Sequence, residues 1–267
     1  MNRQDFHEDV IMRQKRLFSN DRAVSETVGF IIIFGIVITG IGLVTLYGYP
    51  VLLNQQAEAN MRNMQKNMIV LQSDINSLTY KNVPYQETSL QVSGGTLSIK
   101  PSSAQYFSIK DSTGQIDFYP GEMVFQSENG DAVISLENGA VHIRYWSDLT
   151  GSSMVSNPRW FFDEDTETLV IALIQISADS NYATSGISTV QMKVSELPSY
   201  SDTFDYPSGE TIEVKYNPDL QNNYKVAWRN YFNSFEKNEY SGDDAILRIS
   251  GVKKVVLKGY QIKILSL

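Results

Sequence analysis

The sequence predicts an α+β protein: a long N-terminal transmembrane and amphipathic helix followed by a mainly antiparallel, β-sandwich-like domain with one inserted helix. Three observations carry this. Residues 28–53 contain no Asp, Glu, Lys or Arg. Apolar residues then recur at helical spacing from Met61 to Leu78, and from residue 80 onward the pattern changes to the period of two that strands require.

The chain opens on a short charged leader in which Arg3, Arg13, Lys15, Arg16 and Arg22 stand among Asp5, Glu8, Asp9 and Asp21. The first charge beyond the apolar run is Glu58. Basic residues thus lie nearest the run on its N-terminal side, so the positive-inside rule predicts a single pass through the cell membrane. The N-terminus is cytoplasmic and everything after residue 54 extracytoplasmic. A helix over Val28–Leu53 would span about 39 Å, enough to cross a hydrocarbon core of roughly 30 Å with tilt. A removable secretory signal has a shorter apolar core and small residues at its cut site. This segment ends instead in "YGYPVLLNQQ".

Two details distinguish the segment from a plain anchor. Gly35, Thr39 and Gly42 fall on one helix face and form a strip of small residues where another helix could approach closely. Gly and Thr are also common in membrane helices for their own sake. Glu26 places a carboxylate at the start of the apolar run, at interfacial depth. Beyond it, Met61, Met64, Met68, Leu71, Ile75 and Leu78 form an unbroken apolar seam, with Glu58, Arg62, Lys66, Gln72 and Asp74 off that face. One nearly continuous helix over about residues 27–79 is expected, with Pro50 as the point of disturbance. The expected partner of the seam is the protein's own sheet.

The stretch "RAVSETVGF", followed by the apolar run and preceded by a basic leader, resembles the N-termini of archaeal type IV pilins and archaellin-like proteins. The likeness covers about residues 13–53 and extends in plan to archaeal membrane proteins with a large β ectodomain. It implies that a prepilin-type peptidase cuts after Ala23, with Arg22 before the small residue and Val24 as the new N-terminus. It also implies self-assembly through the retained helix. Glu26 stands where many archaeal pilins carry Pro, and bacterial pilins place a Glu two positions further on; Glu26 is the candidate carboxylate for pairing with a neighbour's new α-amino group. The resulting division is a leader (1–23), a transmembrane and amphipathic helix (24–79) and a β-rich domain (80–267). Two functions stay open at this point: a filament subunit released by leader processing, or a permanently anchored extracytoplasmic binding module that does not polymerise.

Within the β-rich part, "SLQVSGGTLSIK" predicts a hairpin turning at Gly94-Gly95, pairing Val92 with Leu97 and Leu90 with Ile99. In "AVISLENGAVHIRYW" a turn at Asn138-Gly139 pairs Leu136 with Val141, Ile134 with Ile143 and Ala132 with Tyr145. Each hairpin would have one apolar and one polar face. "QYFSIKDSTGQIDFYPG" predicts a third hairpin, and "LVIALIQI" a central strand covered on both faces. "STVQMKV", "IEVKY" and "KKVVLKGYQIKIL" supply further strands, with a possible domain boundary near "TSGIS". After Asn217-Pro218, the stripe Leu220, Tyr224, Ala227, Tyr231 and Phe235, joined by Trp228 and Phe232, predicts the inserted helix.

Little in the chain carries chemistry. A net charge of -8 argues against nucleic-acid binding, which needs clustered cations. The absence of cysteine removes disulfides, thiolate metal sites and Cys nucleophiles. No sequon for N-glycosylation occurs, nor do the H-E-x-x-H, G-x-S-x-G and P-loop motifs. Only two histidines exist, His7 in the leader and His142, expected as an exposed strand residue facing Ser135. No catalytic residue and no cofactor are assigned, and the protein is not expected to be an enzyme. The acidic group Asp163, Glu164, Asp165 and Glu167 is the best metal candidate, for a hard cation such as calcium, but it lacks the EF-hand spacing and Gly and also reads as a charged hairpin tip, so no metal site is assigned. Aromatic residues in "YFNSFEKNEY" and "RYW" could line a glycan-binding surface or fill a core. Arg248, Lys253, Lys254, Lys258 and Lys263 form a late basic group expected on a solvated strand face.

Overall fold

The computed structural model describes residues 26–81, 83–101, 103–146, 151–219 and 223–267. Helix α1 runs over Glu26–Tyr80, as the two apolar patterns require. It is interrupted by a single π-helical turn at Val44–Gly48, in which the amide of Tyr49 donates to the carbonyl of Val44. The cause lies in the next residue. Pro50 has no N–H, and its ring would clash with the carbonyl four residues back; widening the preceding turn relieves this. The chain divides into two compact units, Met1–Glu58 and Ala59–Leu267. The seam half of α1 therefore belongs with the strands, because its apolar face packs there even though the helix itself is continuous with the apolar run.

The strands are β1 (Tyr85–Lys100), β2 (Tyr106–Lys110), β3 (Gln115–Phe118), β4 (Glu122–Ser127), β5 (Ala132–Glu137) and β6 (Ala140–Tyr145). They continue with β7 (Ser152–Ser156), β8 (Phe161–Asp163), β9 (Thr168–Ala178), β10 (Ala183–Glu196), β11 (Asp202–Asn217) and β12 (Ile246–Ser266). Helix α2 (Lys225–Phe232) is inserted before β12. One hydrogen-bonded path orders them β3-β2-β11-β12-β10-β1-β4-β5-β6-β7, with β9 added to β12 and β8 to β9. All these pairings are antiparallel except β9 with β12. The architecture is thus α+β and mostly β, as the sequence predicts.

β12 organises the sheet. Its first half pairs with β11 (Ile246 with Lys215, Leu257 with Asp202) and its second half with β10 (Tyr260 with Glu196, Ser266 with Gln191). β9 lies along its other side from Lys254 to Ile264. The outer edge of β9 is not left open, which would strand backbone groups. Ile174 N–H donates to Asn138 Oδ1 at 2.9 Å, Ile176 N–H donates to the Pro120 carbonyl at 2.6 Å, and the Ala172 carbonyl accepts from Trp160 Nε1 at 2.7 Å.

Two cores result. An aliphatic core joins Met64, Met68, Leu71, Ile75 and Leu78 of α1 to β1, β4, β5, β6, β10 and the second halves of β9 and β12. The expectation that the seam packs on the protein's own sheet holds. The second core is aromatic, with α2, Trp160, Phe107, Phe118 and Tyr216 against the first halves of β9 and β12. Helix α2 buries Ala227, Trp228, Tyr231 and Phe232, as its stripe predicts; Leu220 lies outside the described residues.

The hairpin at Asn138-Gly139 forms in the predicted register, and "QYFSIKDSTGQIDFYPG" forms the expected hairpin, pairing Phe107 with Phe118 and Lys110 with Gln115. Asn138 and Gly139 take the positive φ values, 45° and 72°, that a two-residue turn of this hand needs. The hairpin at Gly94-Gly95 does not form. β1 runs straight through it, pairing with β10 on one side and β4 on the other, with a bulge between Val92 and Leu97. Of the two glycines only Gly94 has positive φ (71°), so the chain kinks without reversing. Gly95 permits contact with β4: a Cβ there would stand 2.2 Å from the Gln126 carbonyl oxygen. Gly95→Ala is accordingly expected to lower stability by about 1–3 kcal/mol, read as a shifted denaturant midpoint at unchanged slope. Three other expectations are corrected. "TSGIS" marks no boundary but lies within β10. Gln72, placed off the seam, is buried and donates from Nε2 to the carbonyls of Gly139 (2.7 Å) and Asn157 (3.0 Å). The polar face of the β5–β6 hairpin is buried as well, for a reason that emerges at its histidine.

Candidate functional site

The feature that sets this chain apart is the first unit. Every large apolar side chain from Val28 to Leu53 is between 45% and 71% exposed. Such a surface is costly in water and stable only in lipid or against other apolar helices. Gly35, Thr39 and Gly42 lie within this stretch. A Cβ built on Gly35 or Gly42 would meet no atom within 4 Å, so the strip faces open space. Thr45, one turn further, returns its hydroxyl to the Ile41 carbonyl at 2.9 Å, a hydrogen bond within the helix that satisfies the hydroxyl without water. Glu26 is exposed at the first described position. Arg22, Ala23 and Val24 lie outside the described residues, as does His7.

Among its described residues the second unit contains one group of buried acidic and histidine side chains. Glu137, at the end of β5, is fully buried. Its Oε1 accepts from Trp228 Nε1 and its Oε2 from Gln105 Nε2, both at 2.8 Å. His142 of β6 is also fully buried, with Nε2 3.7 Å from Glu137 Oε1 and its ring stacked on Tyr224 at 5.1 Å. Beside them Ser135 donates to Glu122 at 2.8 Å, and Lys100 reaches the other oxygen of Glu122 at 3.5 Å. Burial, reinforced by the Glu122 carboxylate, pushes the Glu137 carboxyl up to about 8. Burial alone brings His142 down to about 3. At neutral pH both are uncharged. The hydroxyls of Tyr216 and Tyr224 are pushed far above their ordinary range by burial and by the neighbouring carboxylates.

His142 does face Ser135, as read from the alternation, but the expectation of an exposed histidine is overturned. Helix α2, nearly a hundred residues further along the chain, lays Trp228 and Tyr224 over this face. Period-two alternation assigns residues to faces; it does not say which face a later helix will cover. One signal was available: a tryptophan on an apolar stripe needs a partner for its N–H. With Gln105, Glu137, His142 and Trp228 all at 0% exposure, no substrate reaches the group. It is a closed polar interior in which Glu137 is hydrogen-bonded while both His142 nitrogens are buried without a hydrogen-bond partner.

The acidic group Asp163, Glu164, Asp165 and Glu167 forms the tip between β8 and β9. Asp163 is used inside the turn, accepting from the Asp165 N–H (3.3 Å) and the Thr166 hydroxyl (2.6 Å). Glu167 turns away to Lys253 at 2.6 Å. Among the described residues no group of three or more His, Asp or Glu side chains is placed to hold a metal ion. The group sits at the tip of the antiparallel β8–β9 pair. The late basic group is largely paired within the chain: Arg248 with Glu213, Lys253 with Glu167, Lys254 with Asp205 and Lys263 with Asp179.

A helix long and apolar enough to cross a membrane, followed by an α+β unit built on a twelve-stranded sheet, defines the class of protein. The chain belongs to the Family of unknown function (DUF7289), whose profile matches residues 22–262. It is also similar to an uncharacterized protein of Archaeoglobus fulgidus, 25% identical over 115 residues. That match covers 43% of this chain and spans 42% of the relative, less than half its length. No solved structure matches.

Proposed function

We propose that the protein is a pilin-like, membrane-anchored structural or interaction protein of the cell surface, without catalytic activity or cofactor. The observation that carries this is the wholly exposed apolar helix over Val28–Leu53 joined to an independently packed β-rich unit. In this reading the N-terminus is cytoplasmic, a prepilin-type peptidase removes the leader after Ala23, and copies then associate through the freed helices. The strip of Gly35, Thr39 and Gly42 supports the last step, since small residues let helix backbones approach closely. Glu26 then offers its carboxylate to a neighbour's α-amino group. The same anchor without polymerisation gives the second reading, a permanently tethered extracytoplasmic binding module.

Leader processing is tested by identifying the N-terminal peptide of the native protein by mass spectrometry, in membranes and in material sheared from cells. A terminus at Val24 in the sheared fraction is the expected result. An intact leader found only in membranes would refute the filament reading and leave the tethered module. The double variant Gly35→Leu, Gly42→Leu addresses assembly separately: it is expected to abolish filaments while membrane retention and the folding of the β-rich unit persist, because neither glycine touches another atom that a side chain would displace.

A further inference from the structure

The strongest unassigned feature of the β-rich unit is a cleft of about 370 Å³ between β8 and the segment that follows α2. Its volume falls in the range of small-molecule sites, roughly 300–1,000 Å³. Trp160, Phe161 and Phe235 give it an aromatic wall. Phe161 is 53% exposed, an unusual position for a phenylalanine on a short edge strand. Phe235 is held edge-on against Tyr231 at 5.3 Å, so this wall is backed by the aromatic core and does not depend on a loose loop.

The rim is charged by Glu164, Glu236 and Lys237. Among the described residues none of the three makes a hydrogen bond or ion pair within the chain. Nearby charges behave differently: Lys225 is paired with Asp244, Arg229 with Asp243 and Arg248 with Glu213. The cleft therefore combines aromatic surface with unpaired acceptors and an unpaired donor. A cationic ligand would be opposed by Lys237 and an anionic one by both glutamates. A neutral polyol suits all of them, because each hydroxyl both donates and accepts, and the C–H face of a pyranose ring packs on an aromatic face while its hydroxyls stay at the polar rim.

We propose that this cleft is a binding site for a neutral saccharide, a mono- or disaccharide unit stacked on Phe161 and hydrogen-bonded by Glu164, Glu236 and Lys237. The site stands on the β-rich unit alone and holds whether or not the leader is removed. The test is ligand-observed NMR on the full chain in lipid nanodiscs, which avoid sugar-based detergents. Maltose, lactose and diacetylchitobiose are the probes, at up to roughly 20 mM, enough to detect a Kd of the millimolar class. Saturable binding of at least one probe, weakened at least about tenfold by Phe161→Ala and reduced by Glu236→Gln, is the expected result. Both positions are exposed, and near-UV circular dichroism verifies that each variant keeps the native aromatic core. Trp146→Ala, which removes an exposed aromatic that is absent from the cleft, should leave binding unchanged. Failure of all three sugars to bind, or binding that survives both cleft variants, would overturn the proposal. So would saturable binding of a lysine peptide displaced by none of the sugars, which would assign the cleft to a cation.

Discussion

Trp228→Ala will destabilise the β-rich unit by about 3–5 kcal/mol, the cost of emptying a large buried aromatic site. Trp228 is fully buried, and its ring lies within 6 Å of Phe107, His142, Trp160, Tyr216, Tyr231 and Phe232. Its removal opens a cavity bounded by rings from three strands, a loop and a helix, which cannot all collapse inward together. It also takes a donor from Glu137, and an unsatisfied buried acceptor adds its own penalty. For a unit of this size the loss corresponds to a fall in Tm of about 6–20 °C. Trp146 provides the contrast. It is 46% exposed with the Arg144 guanidinium 4.2 Å above its ring, and Trp146→Ala should change stability by no more than about 0.5 kcal/mol. Equal effects of the two substitutions in thermal melts would refute the view that α2 holds the aromatic core together.

The second large effect is a dependence on pH in which two buried groups oppose each other. Glu137 ordinarily titrates near 4.5 and in the folded chain near 8. It holds its proton more tightly when folded, so its contribution is fully present below about pH 4.5 and is lost as pH rises toward 8. His142 ordinarily titrates near 6.5 and in the folded chain near 3. The unfolded chain takes up that proton first, so the folded state gains as pH rises from 3 to 6.5. The two slopes, each about 1.4 kcal/mol per pH unit, cancel between about pH 4.5 and 6.5. Their sum is a plateau in mildly acidic solution with a decline above pH 6.5. Glu137→Gln removes the declining arm, since the amide is neutral throughout: its oxygen keeps accepting from Trp228 Nε1, and its NH2, in the place of Oε2, faces the Gln105 amide, which can flip to present its otherwise unpartnered oxygen. Denaturant midpoints at a series of pH values should therefore fall above pH 6.5 in the parent chain and stay level in the variant. A parent curve that rises with pH across 6.5–8 would refute the assignment of Glu137 as a neutral acid.

Much of this architecture is legible in the sequence. The apolar run and the seam Met64 to Leu78 identify α1 and its buried face, because a helix repeats its neighbours within a few residues. Asn138-Gly139 specifies a hairpin because its geometry is local: two left-handed residues and flanking alternation suffice. Gly94-Gly95 carries the same local signal, yet its strand has neighbours on both sides, and those distant partners pull the pair into a bulge. His142, Glu137 and Ser135 were readable as one polar face. Their burial was not, since it depends on Trp228 and Tyr224 arriving from a segment far along the chain. The cleft is partly legible in retrospect: the aromatics of "YFNSFEKNEY" divide between the core, where Tyr231 and Phe232 go, and the surface, where Phe235 remains. Only the placement of β8 beside them decides which is which. The π-helical turn follows from Pro50, although the sequence indicates a disturbance there without its form.

The placement of β12 has a kinetic consequence. It follows β1–β11 along the chain, yet three of those strands pair with it, and β1 in turn depends on β10 across the whole of residues 101–182. Loop closure on this scale precedes the contacts that reward it, so folding of the unit belongs to the slow regime on the order of milliseconds to seconds. Until β12 docks, neither core can close, because Leu247, Ile249, Val255 and Leu257 complete the aromatic one and Ile262 and Ile264 the aliphatic one. The hairpins β2–β3 and β5–β6 can form early, but they remain isolated pieces, and β9 presents an unpaired apolar edge in the meantime. The unit therefore matures in a single late step, and a chain that stops short of residue 246 should be soluble only as an unfolded segment or not at all.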